Sequence, residues 1–193
     1  MRLLHRFALE RGIPVHLDGA RLFNAAVSLG VTAAEIAAAA DSVMFCLSKG
    51  LAAPVGSLLA GTAAFIEKAR RNRKMLGGGL RQAGFLAAAG IVALTRMVDR
   101  LAQDHVHARL LAEGLSTLKG IKIDLDRVQK NMVFADIAAT GKTQKEILDK
   151  LLARGIKAND GREGDWIRFV TNKDVAREDI EHVLLALREA LAD

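Results

Sequence analysis

The chain has 193 residues, 51% of them apolar, enough for one domain, or one and a half, around a packed core. Aromatic residues make up only 4%, with no tyrosine and one tryptophan, which points to an aliphatic, alanine-rich core and away from stacking platforms for single-stranded nucleic acid. The net charge is +6, and the single cysteine excludes a disulfide within the chain and a multi-cysteine metal site.

Residues 2–11 read as a short amphipathic helix ending at Gly12. "IPVHLD" (13–18) reads as a buried strand, with Pro14 at its start, where a missing N–H is tolerated. "GARLFNAAVSLG" reads as a loop followed by a helix that stops at Gly30. "TAAEIAAAA" opens with a capping box, Thr32 with Glu35. "DSVMFCLS" (41–48) is a second strand, apolar on both faces, and "VGSLLAG" (55–61) a third. Short apolar strands joined by helices predict a mostly parallel sheet covered on both sides. Three strands are few for such a sheet, where ~5–6 is usual. Its edge is therefore expected to be covered by another chain or by an N-terminal half not contained here.

The character changes after residue 62. Residues 62–76 read as helix, and a long helical run follows the glycines from Leu80 to Leu118. "GIKIDL" (120–125) and "KNMVFADI" (130–137) read as strands, 143–154 as a helix opened by Thr143 with Glu146, 165–171 as a strand and 176–191 as a closing helix. The predicted division is an α/β portion over 1–61, a helical linker and interface region over 62–118, and a small α+β domain over 119–193. No stretch of 18 uncharged apolar residues marks a membrane span, and "MRLLHRFALERG" has scattered charges and no apolar signal region. A cytoplasmic protein is expected. His5, His16, His105, His107 and His182 show no metal-like spacing with carboxylates.

Two residues carry chemistry if they meet. Asp18 ends a strand, where an α/β sheet usually places its ligand crevice, although a helix cap explains it equally well. Arg21 reads equally well as a surface residue. Lys49 in "CLSKG" follows another strand end; it is either a snorkelling surface lysine or an amine in a partly desolvated site, nucleophilic toward carbonyls. A lysine and a carboxylate at matching ends of two strands suit pyridoxal 5'-phosphate (PLP), which needs a Schiff-base amine and a partner for its pyridinium nitrogen. "KARRNRK" (68–74) reads as a solvated helix end or as an anion site. His16, on the strand, reads as a core or supporting histidine.

"HLDGARLFNAA", "CLSKGLAAPVGSLLAG", "RRNRKMLGGGLRQAG" and "IRFVTNKDV" resemble the signature segments of low-specificity L-threonine aldolases. These belong to the beta-eliminating lyase group of fold-type I, aspartate-aminotransferase-like PLP enzymes. The resemblance implies an α/β fold with a three-layer sheet, here the C-terminal portion of the large domain, followed by a smaller α+β domain. It implies that Lys49 forms the Schiff base and that Asp18 pairs with the pyridine nitrogen. Arg21, which also borders the cofactor, and Arg168 would hold the substrate carboxylate. Lys74 and Arg81 would reach the cofactor phosphate of a neighbouring subunit, implying a homodimer or homotetramer. The implied reaction cleaves L-threonine or L-allo-threonine to glycine and acetaldehyde. Another β-hydroxy amino acid lyase of phenylserine type, or an inactive fragment acting only in assembly, remains an alternative. Partners in nucleic acid or membrane are not expected. Family members usually have His where Asn172 stands. They also carry a further N-terminal segment of comparable length, with the phosphate-cradling loop and a ring-stacking histidine, so the isolated chain is expected to be incomplete.

Overall fold

The computed structural model describes residues 1–162 and 164–192. The chain divides into two compact units, Met1–Leu101 and Ala102–Asp193, each described by itself. The linker drawn over 62–118 is thus shared between them, because most of its last helix packs into the second core.

The first unit contains α1 (Arg2–Leu9), β1 (His16–Asp18), α2 (Leu22–Leu29), α3 (Ala33–Ala37), β2 (Ser42–Cys46), β3 (Ser57–Gly61), α4 (Ala63–Met75) and α5 (Gly84–Arg96). Its sheet has the order β1-β2-β3, with β1 parallel and β3 antiparallel to β2. A mixed sheet therefore replaces the mostly parallel one expected. The Leu47–Gly56 connection is shorter than the dozen or so residues that a parallel crossover needs. Every residue of β3 is exposed, as are His16 and Asp18 of β1, which is shorter than the buried strand predicted over 13–18. Both are the outer strands of this sheet. Local signals hold: Gly30 ends α2 in the left-handed region at φ 65°, and Thr32 and Glu35 form the capping box of α3. The core gathers Leu47, Leu51, Ala53, Ala93 and Leu101. Phe23 of α2 meets Phe45 of β2 edge-to-face, with centroids 5.3 Å apart, which fixes α2 on the sheet.

The second unit holds α6 (Leu101–Ser116, after its first residue), β4 (Met132–Asp136), α7 (Gln144–Leu152), β5 (Asn159–Arg162), β6 (Trp166–Val170) and α8 (Arg177–Ala192). β6 is the central strand of an antiparallel sheet of order β4-β6-β5. Ile147, Leu151, Ile167, Ile180 and Leu187 lie at its core. Two expectations are corrected here, and one strand is added. The helical run from Leu80 to Leu118 is two helices, interrupted where Val98 and Asp99, poor helix formers, make a turn closed by Leu101 N–H to Val98 O at 3.0 Å. Residues 120–125 form no strand beyond a bridge between Lys122 and Asp136. The Asp124 carboxylate instead accepts from Asp126 N–H at 3.2 Å and starts a short 3-10 turn. Strand β5 has no apolar alternation to announce it. Its Gly161 lets the hairpin close, since a Cβ there would stand 2.9 Å from Trp166 O.

Helix α7 opens with Thr143 and Glu146 bonding each other's backbone N–H. Those bonds, the Thr143 backbone N–H first and its hydroxyl second, hold the Glu146 carboxyl below its ordinary value of 4.5; Thr32 does the same for Glu35. A carboxyl whose folded pKa is lowered stabilises the fold above its unfolded value, and that contribution is lost as pH falls through the folded value. Thermal midpoints are expected to drop on acidification below about pH 4.5. Thr143→Ala should melt lower near neutrality and show a shallower acid dependence, readable in melts across that range.

Candidate active site

β1 and β2 run parallel in register, with His16 beside Ser42, Leu17 beside Val43 and Asp18 beside Met44, so their C-terminal ends adjoin. Asp18 stands at the end of β1, exposed, and its Oδ1 accepts from Ala20 N–H at 3.1 Å. It is not the cap of the following helix. That position belongs to Arg21, and no side chain caps α2. Gly19 bonds through its N–H to Met44 O at 2.8 Å, and a Cβ there would stand 2.8 Å from that same oxygen, so only glycine fits. Arg21 is half-buried at the mouth of α2. His16 is exposed rather than in the core, with Nδ1 2.8 Å from Ser42 Oγ.

Lys49 lies just beyond β2, in a turn closed by three backbone bonds: Leu47 N–H to Gly56 O at 2.9 Å, Ala53 N–H to Leu47 O at 3.0 Å and Ala52 N–H to Lys49 O at 2.8 Å. Leu47, Leu51 and Ala53 are buried and anchor the turn from below. Lys49 itself is exposed. Ala52 holds φ 59°, a left-handed conformation that a non-glycine residue keeps at a cost of about 1–3 kcal/mol. Such strain persists only where surrounding contacts fix the backbone.

Asp18, Arg21 and Lys49 thus occupy one end of the first unit's parallel strand pair. Lys74 and Arg81 belong to the same unit but flank a separate, exposed turn in which Gly77 has φ 79° and Gly78 N–H bonds to Arg73 O at 2.8 Å. Helix α4 buries no residue, and Met75, Leu76 and Phe85 around this turn are 77%, 87% and 91% exposed. A groove of about 590 Å³ runs along α4, and one of about 600 Å³ lies over the starts of β1 and β2; they meet at Leu59 and Phe65, and neither is lined by Lys49 or Asp18.

Arg168 belongs to the second unit, on β6 opposite Phe134 and Asn159. Ile167 and Phe169 on either side are buried, so Arg168 takes the other face of the sheet, half-buried. Its Nε is buried and has no hydrogen-bond partner among the described residues. A guanidinium donor in that state suits a carboxylate. Asn172 Oδ1 accepts from Asp174 N–H at 2.9 Å, which makes it a turn residue ahead of α8. Among the described residues no group of three or more His, Cys, Asp and Glu could hold a metal ion, and no helix is long and apolar enough to cross a membrane. Sequence reasoning missed Asn24. This buried amide on α2 is flagged only by being polar within "LFNAAV".

The family model described as Beta-eliminating lyase matches residues 1–138. The chain is 44% identical over 188 residues to low-specificity L-threonine aldolase 1 of Arabidopsis thaliana, covering 95% of this chain and 51% of the relative. It is 43% identical over 191 residues to the low specificity L-threonine aldolase of Escherichia coli K12, covering 96% and 54%. It therefore spans about half the length of the curated relatives it matches. Among solved structures it is similar to a putative aromatic amino acid beta-eliminating lyase/threonine aldolase from Exiguobacterium sp. 255-15, with a TM-score of 0.80, 27% identity, and coverage of 98% of this chain and 56% of the other. A putative L-allo-threonine aldolase from Listeria monocytogenes EGD-E shares the fold, with a TM-score of 0.79, 24% identity and coverage of 98% and 55%.

Proposed function

Because the chain belongs to the beta-eliminating lyase family, we propose that it carries the lysine-bearing part of a PLP-dependent aldolase site that cleaves L-threonine or L-allo-threonine to glycine and acetaldehyde. The observation that carries this reading is the pairing of Asp18 and Lys49 at the adjoining C-terminal ends of two parallel strands, with Asp18 not engaged as a helix cap. The residues present fit the cofactor: an exposed amine on a braced turn, and an exposed carboxylate one strand away.

When bound, PLP supplies an electron sink for the pair left on Cα as the Cα–Cβ bond breaks. Lys49 would hold the cofactor through its Nζ. Asp18 would keep the pyridine nitrogen protonated by its negative charge. Arg21 and Arg168 bind the substrate carboxylate and so orient the bond to be broken; the unpartnered Nε of Arg168 supports its share of this role. Lys74 and Arg81, amid exposed apolar residues, fit a role across a subunit interface toward the cofactor phosphate, in a homodimer or homotetramer. A single free Cys46 suits a reducing, cytoplasmic setting.

The test is direct. The chain mixed with PLP should develop a Schiff-base absorption band, and addition of L-threonine should release acetaldehyde. Absence of the band sinks the reading. A second reading, in which the chain acts only in assembly, is favoured by α4, which buries no residue; the absence of both band and acetaldehyde would support it. Phenylserine turnover in place of threonine turnover would shift the substrate class. Within the aldolase reading, Arg168→Lys removes the two-pronged donor, and the KM for threonine is expected to rise about 10- to 100-fold with kcat less changed.

A further inference from the structure

Asn24 sits in the middle of α2 with 3% of its surface exposed, among apolar residues. An amide is retained in such a place only where its polar atoms are used. What it adjoins is the backbone that carries Lys49. A Cβ added to Gly50 would stand 3.1 Å from Asn24 Oδ1, 3.5 Å from its Nδ2 and 2.8 Å from Leu101 Cδ2. Gly50 does not lie in the left-handed region, so conformation does not explain the glycine; the approach of Asn24 and Leu101 does. Two residues on, Ala52 holds its positive φ without being glycine, which requires a braced turn.

Helix α2 ties this turn to the other half of the site. Its N-cap is Arg21, shortly after Asp18 and Gly19, and the Gly19 N–H bonds to Met44 O on β2. Phe23 packs edge-to-face on Phe45 of the same strand. Asn24 follows, one turn from Arg21, against Gly50. We infer that Asn24 is a positioning residue for Lys49: its amide sets where the Lys49–Gly50 backbone lies, and with it the reach of Nζ relative to Asp18. The inference rests on the reading of Lys49 as the cofactor-binding amine.

The experiment compares wild type, Asn24→Ala, Gly50→Ala and the double variant. Each chain is incubated with PLP and reduced with borohydride at intervals. The adduct at Lys49 is then quantified by peptide mass spectrometry against that at Lys119, an exposed lysine of the second unit. Wild type should label Lys49 well ahead of Lys119. Each single variant should slow Lys49 about tenfold relative to Lys119. The double variant should be no slower than the worse single one, because both disturb the same approach of Asn24 to the Lys49–Gly50 backbone. Gly50→Ala leaves the sequence of α2 untouched but also presses on Leu101, so the inference requires that both single variants slow Lys49. Hydrogen exchange should show faster loss at Ala52 and Ala53 and unchanged rates along Leu22–Leu29. Wild-type labelling rates in either single variant would overturn the inference. So would full additivity in the double variant, or accelerated exchange along the whole of α2, which would make Asn24 a structural residue only. If wild-type Lys49 is labelled no faster than Lys119, the proposed function itself falls, and the inference with it.

Discussion

Lys49→Ala is expected to abolish the cofactor absorption band and to lower threonine cleavage by about 10³-fold or more, at least ~4 kcal/mol of barrier. The substitution should leave the fold intact. Lys49 is exposed, and the turn around it is held by backbone bonds and by buried Leu47, Leu51 and Ala53, none of which involves the lysine side chain. An unchanged melting temperature beside a lost band would therefore assign the loss to chemistry. Lys49→Arg should behave like the alanine variant, since a guanidinium keeps the charge but does not lose a proton to become a nucleophile.

Asp18→Asn should separate two roles. The amide oxygen of asparagine can still accept from Ala20 N–H, so the turn into α2 survives, while the negative charge is gone. The cofactor band is expected to form, but turnover should fall about 10²–10³-fold, the usual cost of removing one group that stabilises charge in the transition state. Loss of the band together with loss of turnover would make Asp18 a residue of the fold and not of the chemistry. Steady-state rates and cofactor spectra on the same preparations distinguish the two outcomes.

The parts legible in the sequence were those fixed by local chemistry. Thr32 with Glu35 and Thr143 with Glu146 mark helix starts because the side chain and the backbone donor lie three residues apart, and both boxes form. Gly30 ends α2 because only a residue tolerant of positive φ closes that turn. The alternation of "WIRFV" puts Ile167 and Phe169 inward and leaves Arg168 on the other face. What was not legible depends on partners distant in sequence. The direction of β3 follows from a connection too short for a crossover, a fact about chain length and not about residue type. The exposure of β1 and β3 follows from their places at the outside of this sheet. Strand β5, "NDGR", exists only because β6 is there to pair with it. Within the site, Asp18 and Lys49 could be paired by matching strand ends, but the support under Lys49 could not. Asn24 and Gly50 lie far apart in the chain, and their contact needs the packing of α2 on β2.

The amine of Lys49, one strand from Asp18, is the group proposed to hold PLP. Peptide mapping of the borohydride-reduced chain identifies that group. The expected result is a single dominant adduct on the peptide containing Lys49, retained in Asp18→Asn and absent in Lys49→Ala. An adduct spread over exposed lysines such as Lys68, Lys74 and Lys119, and unchanged by Lys49→Ala, would contradict it.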